Sequence, residues 1–302
     1  MFSRSCRKLI KTVLLSLLFS FVLISCDAGR STLYQGGLYF AQGSYLMRLS
    51  LRDGSLSVEG HMGDTVLREI SAYGEDHLLI AESASVNRRR VQRISWVDLD
   101  TGETADLYAG TRARFLPGGN VVAYDNGLEL YAVPQINGSP NEVIFTHGQN
   151  QLTSMNIASD DTLLFEADDS DGSLIYSWNA NSKDLTPLPG LTAVCRLQGS
   201  VWIDSVNRLA CKSTVGLVAE AKYILSDLEG NVKGELELPT DGEFLALAYI
   251  ESQDALVMQE TVEAILGSKN QYVVWIVDIL SGESHKVPGN INLGNSVVYA
   301  AY

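Results

Sequence analysis

The chain has 302 residues, with 36 acidic against 22 basic side chains and a net charge of −14. That balance argues against nucleic acid as a partner, because phosphate contacts need clustered Lys and Arg. Anionic lipid headgroups are an equally poor electrostatic match.

The N-terminus carries Arg4, Arg7, Lys8 and Lys11 with no acidic residue, then an apolar run from Val13 to Ile24 broken only by Ser16 and Ser20. This is the charged region and short apolar core of a secretory signal. Crossing a bilayer as a helix takes roughly 17 to 25 apolar residues, more than this run offers. The run ends in Leu23-Ile24-Ser25-Cys26, which resembles the lipobox of bacterial lipoproteins. The resemblance implies cleavage before Cys26 and acylation, palmitate included, of that cysteine as the new N-terminus. Each buried methylene of such chains contributes about 0.8 kcal/mol to membrane anchoring. Asp27 resembles the signal that keeps enterobacterial lipoproteins at the inner membrane, with the outer membrane as the alternative. The expected localisation is therefore the bacterial cell envelope, facing the periplasm. Losing residues 1 to 25 removes four basic and no acidic side chains, so the remaining chain is more acidic still.

Cys6 leaves with the leader and Cys26 is acylated, which leaves Cys195 and Cys211 in an oxidising compartment. They are expected to pair, for roughly 3 kcal/mol by loop closure, with a free thiol as the alternative. No Cys-x-x-Cys spacing supports a redox dithiol or a zinc knuckle.

A tether of Asp27 to Thr32 leads into a region, residues 33–302, made of short Val, Leu, Ile and Tyr runs punctuated by Gly, Asp, Asn and Ser. That punctuation predicts strands, and no helical period is sustained. One kind of segment is a tight polar turn feeding an apolar strand. It recurs at Tyr73-Gly74-Glu75-Asp76, Pro117-Gly118-Gly119-Asn120, Ala158-Ser159-Asp160-Asp161, Asp204-Ser205-Val206-Asn207 and Glu251-Ser252-Gln253-Asp254. Measured on the last turn residue the spacings are 44, 41, 46 and 47, which marks an internal repeat. The second kind is an apolar strand, a Gly or Asn turn and a further strand, as from Val91, Lys222 and Tyr272, with looser copies from Ser44, Leu128 and Ser173. Together they predict units of four antiparallel strands and an all-β, six-bladed β-propeller. The first kind appears again at Gly36-Gly37 and Gly294-Asn295. The surplus predicts that the C-terminal strand, near Ser296 to Tyr302, completes the N-terminal blade and closes the ring.

Ile94-Ser95-Trp96-Val97-Asp98 with Gly102, and Trp275-Ile276-Val277-Asp278 with Gly282, resemble the repeat of TolB-like six-bladed propellers. The resemblance spans nearly all of residues 33–302. It departs from TolB itself in leaving no room for an extra N-terminal domain. Such repeats serve binding proteins, peptidase accessory domains and enzymes alike.

The sequence has no G-x-S-x-G, H-E-x-x-H, G-x-x-x-x-G-K-[ST] or G-x-G-x-x-G motif. His61, His77, His147 and His285 fall at different phases of the repeat, so no shared metal is expected. The loop Asp168-Asp169-Ser170-Asp171-Gly172 has the oxygens a calcium ion wants, but the EF-hand frame puts Ala167 and Trp178 at ligand positions, so it reads as a hairpin turn. Arg88, Arg89, Arg90 and Arg93 form the one basic cluster and a candidate partner-binding loop, against arginines merely paired with nearby acids. Arg68, Arg112, Arg114 and Arg196, with Asn156, fall in the innermost strands. They are candidates for an anion site in the channel, the alternative being salt bridges between blades. Trp96, Trp178 and Trp275 share a strand position, for blade packing or a sugar platform. The inner strands read as richer in Arg and apolar residues than in carboxylates.

The expected function is a membrane-anchored periplasmic binding or scaffold lipoprotein, held by the lipid on Cys26 and engaging a protein of the cell envelope. No catalysis and no cofactor are expected. The alternatives are a lactonase-like or lyase-like propeller enzyme, or a module binding a small anion or glycan in the channel.

Overall fold

The computed structural model describes residues 36–73, 77–86, 89–134, 142–147, 152–169, 172–215, 222–262, 270–294 and 297–300. Cys26 and the tether lie outside the described residues. The strands form six four-stranded antiparallel sheets. Blade 1 holds β1 (Gly37–Gln42), β2 (Tyr45–Ser50) and β3 (Leu56–His61). Blade 2 is β4 (Val66–Ala72), β5 (His77–Val86), β6 (Arg89–Asp98) and β7 (Thr104–Tyr108). Blade 3 is β8 (Arg112–Leu116), β9 (Val121–Asp125), β10 (Glu129–Pro134) and β11 (Glu142–Thr146). Blade 4 is β12 (Leu152–Ser159), β13 (Thr162–Asp169), β14 (Gly172–Asn179) and β15 (Leu185–Pro187). After the short helix α1 (Pro189–Val194), blade 5 is β16 (Cys195–Ile203), β17 (Arg208–Ser213), β18 (Tyr223–Ser226) and β19 (Val232–Glu235). Blade 6 is β20 (Glu243–Ile250), β21 (Ala255–Val262), β22 (Gln271–Asp278) and β23 (Ser284–Val287).

The ring closes as the surplus hairpin predicts. The last strand, β24 (Val297–Ala300), pairs antiparallel with β1, Gly37 opposite Ala300 and Phe40 opposite Val297, and becomes the innermost strand of blade 1. The innermost strands β4, β8, β12, β16, β20 and β24 each touch the next around the ring. The chain is a six-bladed β-propeller.

Its apolar interior is divided into wedges. The buried side chains fall into six clusters, each shared by two neighbouring blades. Leu38 and Phe40 of blade 1 meet Ile250 and Val257 of blade 6, for example, and Leu116 and Ala123 of blade 3 meet Met155 and Phe165 of blade 4. The other four pairs of neighbours each have a cluster of their own. A second strand thus has blades packed on both faces, which is why β9 is buried at every position and β21 through its first six residues, Gln259 and Glu260 included. The outermost strands are short and exposed, as sheet edges that avoid further pairing should be.

The turns explain much of the repeat. Between the third and fourth strands of blade 2, Asp98 Oδ1 accepts bonds from the backbone of Thr101 (2.7 Å) and Asp100 (3.0 Å) and from the Thr101 hydroxyl (2.9 Å). Gly102 then takes a left-handed φ of +72°, costly for a residue with a Cβ. Asp278 does the same with Ser281 (2.7 Å), Leu280 (3.1 Å) and Gly282 (φ +70°). In blade 4 an amide substitutes: Asn179 Oδ1 accepts from Ser182 (2.9 Å) and Asn181 (3.0 Å). Bonds to the ionised carboxylate, that from the backbone N–H of Thr101 or Ser281 first, hold Asp98 and Asp278 below the usual carboxylate range. In blade 1, Asp53 is brought to about 2 by the Ser55 backbone and by the Ser50 and Ser55 side chains.

A carboxylate with a depressed folded pKa adds stability above its unfolded value and loses it as pH falls through the folded one. Stability should therefore decline as pH drops from about 4 to about 2. Asp278→Asn should keep the turn, as Asn179 does, and flatten that decline. Urea midpoints measured across the acid range check this, and an unchanged slope would contradict it.

Tyr223 links blades 5 and 6. Its hydroxyl donates to Gly199 O at 2.9 Å and accepts from Ala246 N at 2.8 Å, and burial raises its pKa. Tyr223→Phe strands that buried N–H and should cost roughly 1 to 3 kcal/mol in urea unfolding. A loss under about 0.5 kcal/mol would mean that the bond is dispensable.

Candidate functional site

The ring has two distinct faces. The hairpins between first and second strands, such as Asp204–Val206 and Glu251–Gln253, lie on one face, the turn face. The opposite ends of the strands, where second strands finish and inner strands begin, define the loop face. A central channel of about 1230 Å³ runs between the two faces, lined by the innermost strands.

The two ends of the channel differ in charge. Asp160, Asp204 and Glu251 surround the turn-face end. Burial first, and then the charges of Glu251 and Asp160, raise the pKa of Asp204, against a bond from Trp202 that lowers it. Toward the loop face stand Arg68, Arg112 and Arg114, with Glu69. The inner strands do offer Arg more than carboxylates, Arg68, Arg112, Arg114 and Arg196 against Glu69 and Glu243, but the channel as a whole is not poor in acids. The acids missed by that reading sit in the hairpins at the strand ends and still reach the channel, while Glu69 was overlooked beside Arg68.

Three of the four candidate arginines line the channel, together with Asn156. Arg114 pairs with Glu69 Oε1 and donates to Ala113 O at 2.8 Å. Arg112 Nε lies 3.6 Å from Glu69 Oε2, and its Nη1 bonds Leu152 O. Both are contacts from one blade to the next. Asn156 spends its amide across a blade boundary too, donating to Ser200 O (2.9 Å) and Leu197 O (3.2 Å). Arg68 has no ion-pair or hydrogen-bond partner among the described residues. It occupies an irregularity in the β4–β5 ladder, where Leu67 faces Glu82 and Glu69 faces Ala81 and Arg68 is passed over. Such a bulge re-aims a side chain. Arg196 is not part of the channel lining: its half-exposed guanidinium lies 3.6 Å from Glu166, outside the ring of inner side chains.

Next to the loop-face end is a second cleft, of about 670 Å³, between blades 2 and 3. Tyr108, Tyr124 and Tyr131 stack along it, with centroids 4.6 and 5.2 Å apart and planes 7° and 19° from parallel. Gln92 lines both this cleft and the channel. No motif marks the three tyrosines, since they come from three different strands.

The basic cluster is only partly described. Arg88 lies outside the described residues, and Arg89 and Arg90 are placed by backbone alone, at the start of β6. Arg93 is engaged within its blade, pairing with buried Glu82 and, at 2.8 Å, with Asp106. Glu82 belongs to a series the sequence reading missed, a buried acid near the end of a second strand. Asp125 bonds His147 (3.0 Å) and Thr111 (2.6 Å), Glu166 bonds Leu197 N (3.1 Å), and Glu260 accepts the Trp275 indole N–H (2.8 Å). The visible signal is an acid closing the apolar runs from Leu78, Val121, Leu163 and Leu256.

The remaining candidates are dispersed. His61 stacks on Tyr45, His77 lies 3.3 Å from Asp98, His147 holds Asp125, and His285 sits on an outer strand. Among the described residues no three His, Cys, Asp or Glu side chains are grouped to hold a metal. Asp168 is an exposed residue of the β13–β14 hairpin, whose tip lies outside the described residues. Trp178 is buried, Trp96 meets His77 edge-on and Trp275 is tied to Glu260, so the three do not share one exposed platform. Cys195 and Cys211 are bonded, with Cα atoms 5.7 Å apart, and join the first two strands of blade 5.

No protein-family profile matches the chain. A search of curated proteins gives no match either. Solved structures do match in fold. TolB from Acinetobacter baumannii is 12% identical, with a TM-score of 0.57 over 88% of this chain and 66% of that one. A chain of the nidogen/laminin complex is 12% identical, with a TM-score of 0.59 over 87% and 98%. A puromycin-hydrolyzing peptidase of Mycobacterium tuberculosis is 14% identical, with a TM-score of 0.56 over 85% of this chain and 45% of its own. The chain is TolB-like in fold. These neighbours include a member of a protein complex and a peptidase, so the fold leaves the role to the surface chemistry.

Proposed function

We propose that the protein is a lipid-anchored binding or scaffold propeller of the bacterial envelope, held by acylated Cys26 and engaging an envelope protein through its loop face. The observation that carries this reading is the chemistry of the loop-face rim, where aromatic and arginine side chains adjoin exposed apolar ones. Tyr45, Leu128 and Val215 follow the ends of second strands, Val262 ends one and Val66 opens an inner strand, all toward the loop face, while Leu56, Leu185, Val232 and Leu280 are exposed toward the turn face. The tyrosine cleft and the arginine end of the channel open there too. Exposed apolar and aromatic side chains beside arginines are the composition of a binding surface.

The position of the chain's entry supports the same choice. Gly36 and the start of β1 sit on the turn face, where Ala300 also ends. Gly36 stands ten positions after Cys26, a reach of about 35 Å at most. A lipid on Cys26 thus favours an orientation with the turn face toward the membrane and the loop face toward the periplasm. Asp27 favours the inner membrane as the site of retention.

Two measurements test the proposal. Labelled palmitate should enter the wild-type protein and not Cys26→Ala. A photocrosslinking residue at Leu128, on the loop face, should trap a discrete partner in intact cells, and one at Leu280, exposed on the turn face, should not. Equal trapping at both positions contradicts the face assignment, and a stoichiometric divalent ion in the purified protein would favour the enzyme reading instead.

A further inference from the structure

We infer that the arginine end of the channel is a binding site for a small di- or tricarboxylate. The inference goes beyond the partner surface on the rim and stands or falls separately from it. It rests on three guanidinium groups set against two carboxylates in a walled cavity, Glu69 and Asp125, the second of which is already engaged by His147 and Thr111. Arg112 and Arg114, from blade 3, both engage Glu69 of blade 2, while Arg68, the neighbour of Glu69, has no partner among the described residues. The channel at this level therefore carries an excess of positive charge in a strongly acidic chain.

Geometry selects the class of anion. Glu69 already places its two oxygens toward two different guanidinium groups, Oε1 toward Arg114 and Oε2 toward Arg112. The arrangement is one that planar, two-oxygen groups fit and that arginine forks recognise. Glu69 is thus an internal carboxylate occupying part of the site. An incoming carboxylate takes Arg68 and the exposed edge of Arg112, and a second carboxylate competes with Glu69 for the rest. The bulge at Arg68 supplies the third guanidinium, because in a regular ladder residues 68 and 69 would point to opposite sides.

The rest of the channel favours one position for the ligand. Asp160, Asp204 and Glu251 repel an anion at the turn-face end, so the ligand is confined to the half nearer the loop face. The volume of about 1230 Å³ exceeds what such a molecule needs, leaving room for water around it.

The test is calorimetric titration of the detergent-purified full-length protein with citrate, with inorganic phosphate and acetate as comparison probes. Citrate should bind with one-to-one stoichiometry, more tightly than acetate or phosphate, and should weaken as salt is added. Arg68→Ala should weaken citrate binding about tenfold, the usual value of a charge-assisted bond, without moving the ligand-free melting temperature. Glu69→Gln should tighten it, because the internal competitor loses its charge, and this gain is a result that a merely structural role for Glu69 does not produce. Arg208→Ala, at a half-buried turn-face residue outside the channel lining, should leave citrate binding unchanged. Absence of citrate binding at millimolar concentration overturns the inference. So does citrate binding that is indifferent to Arg68→Ala, or weakened by Glu69→Gln in a protein that still melts normally. Phosphate binding more tightly than citrate overturns the carboxylate assignment.

Discussion

A chain ending at Gly294 should fail to form a closed, cooperative fold. The lost segment contains β24, which pairs with β1 at four positions, Gly37 to Phe40, and touches β20 and β4 on either side. Its removal strips blade 1 of its innermost strand and opens the wedges on both flanks, since Val297 packs in the cluster shared with blade 6 and Val298 against that shared with blade 2. The lost ladder bonds are worth about 0.5 to 1.5 kcal/mol each, and each large apolar side chain exposed costs about 1.5 to 3 kcal/mol. The sum approaches 10 kcal/mol, comparable with the whole stability of a typical domain. The truncated protein should elute as expanded or aggregated material and lose its near-ultraviolet dichroism. A monomer with wild-type dichroism and a sharp melting transition would show that the ring does not depend on this strand.

Removing the disulfide should give the next largest effect. Cys195 and Cys211 are both fully buried and sixteen positions apart. Closing a loop of that size stabilises the fold by about 3 kcal/mol in the chain-entropy account. In a domain of this size that corresponds to a fall in melting temperature of roughly 5 °C for Cys195→Ala with Cys211→Ala. The bond should matter more than that figure alone suggests, because β16 is irregular between Arg196 and Val201, where ladder pairing to β17 is interrupted. The covalent link fixes the end of a strand whose own hydrogen bonding is incomplete. Reductant should lower the melting temperature of the wild type and leave the double variant unmoved. A difference between the two proteins below about 2 °C would mean that packing alone holds blade 5.

What the sequence made legible, and what it hid, follows from the range of the interactions concerned. Blades and closure were readable because each turn is built locally: Asp98, Asn179 and Asp278 write their own hydrogen bonds within three residues. Even the left-handed residues Asn120, Asn207 and Asp254 stand at the expected last position of a first hairpin. The channel was harder. That three arginines of the inner strands reach it followed from the repeat, but Glu69, the partner of Arg112 and Arg114, lies 45 positions before Arg114, in another blade, where no spacing rule operates. Arg196 fell on the correct strand and left the channel because Glu166 draws it outward and the strand is irregular beyond it. The tyrosine stack brings together Tyr108, Tyr124 and Tyr131 from two blades, a proximity created by ring geometry alone. The bulge at Arg68 has no residue signature at all, since Arg is as ordinary there as in a regular strand.

The six apolar wedges have a topological consequence. A linear stack of repeats has a first and a last member, each with a bare flank that must be capped by a polar surface. In this ring every blade has two neighbours, so no member is terminal and none needs a cap. The ends of the polypeptide are then a matter of where the circle happens to be cut. Gly37 and Ala300 lie opposite each other in one ladder. Their adjacency makes the fold a natural host for circular permutation, with old ends joined by a few residues and new ones opened in an exposed connection of any blade.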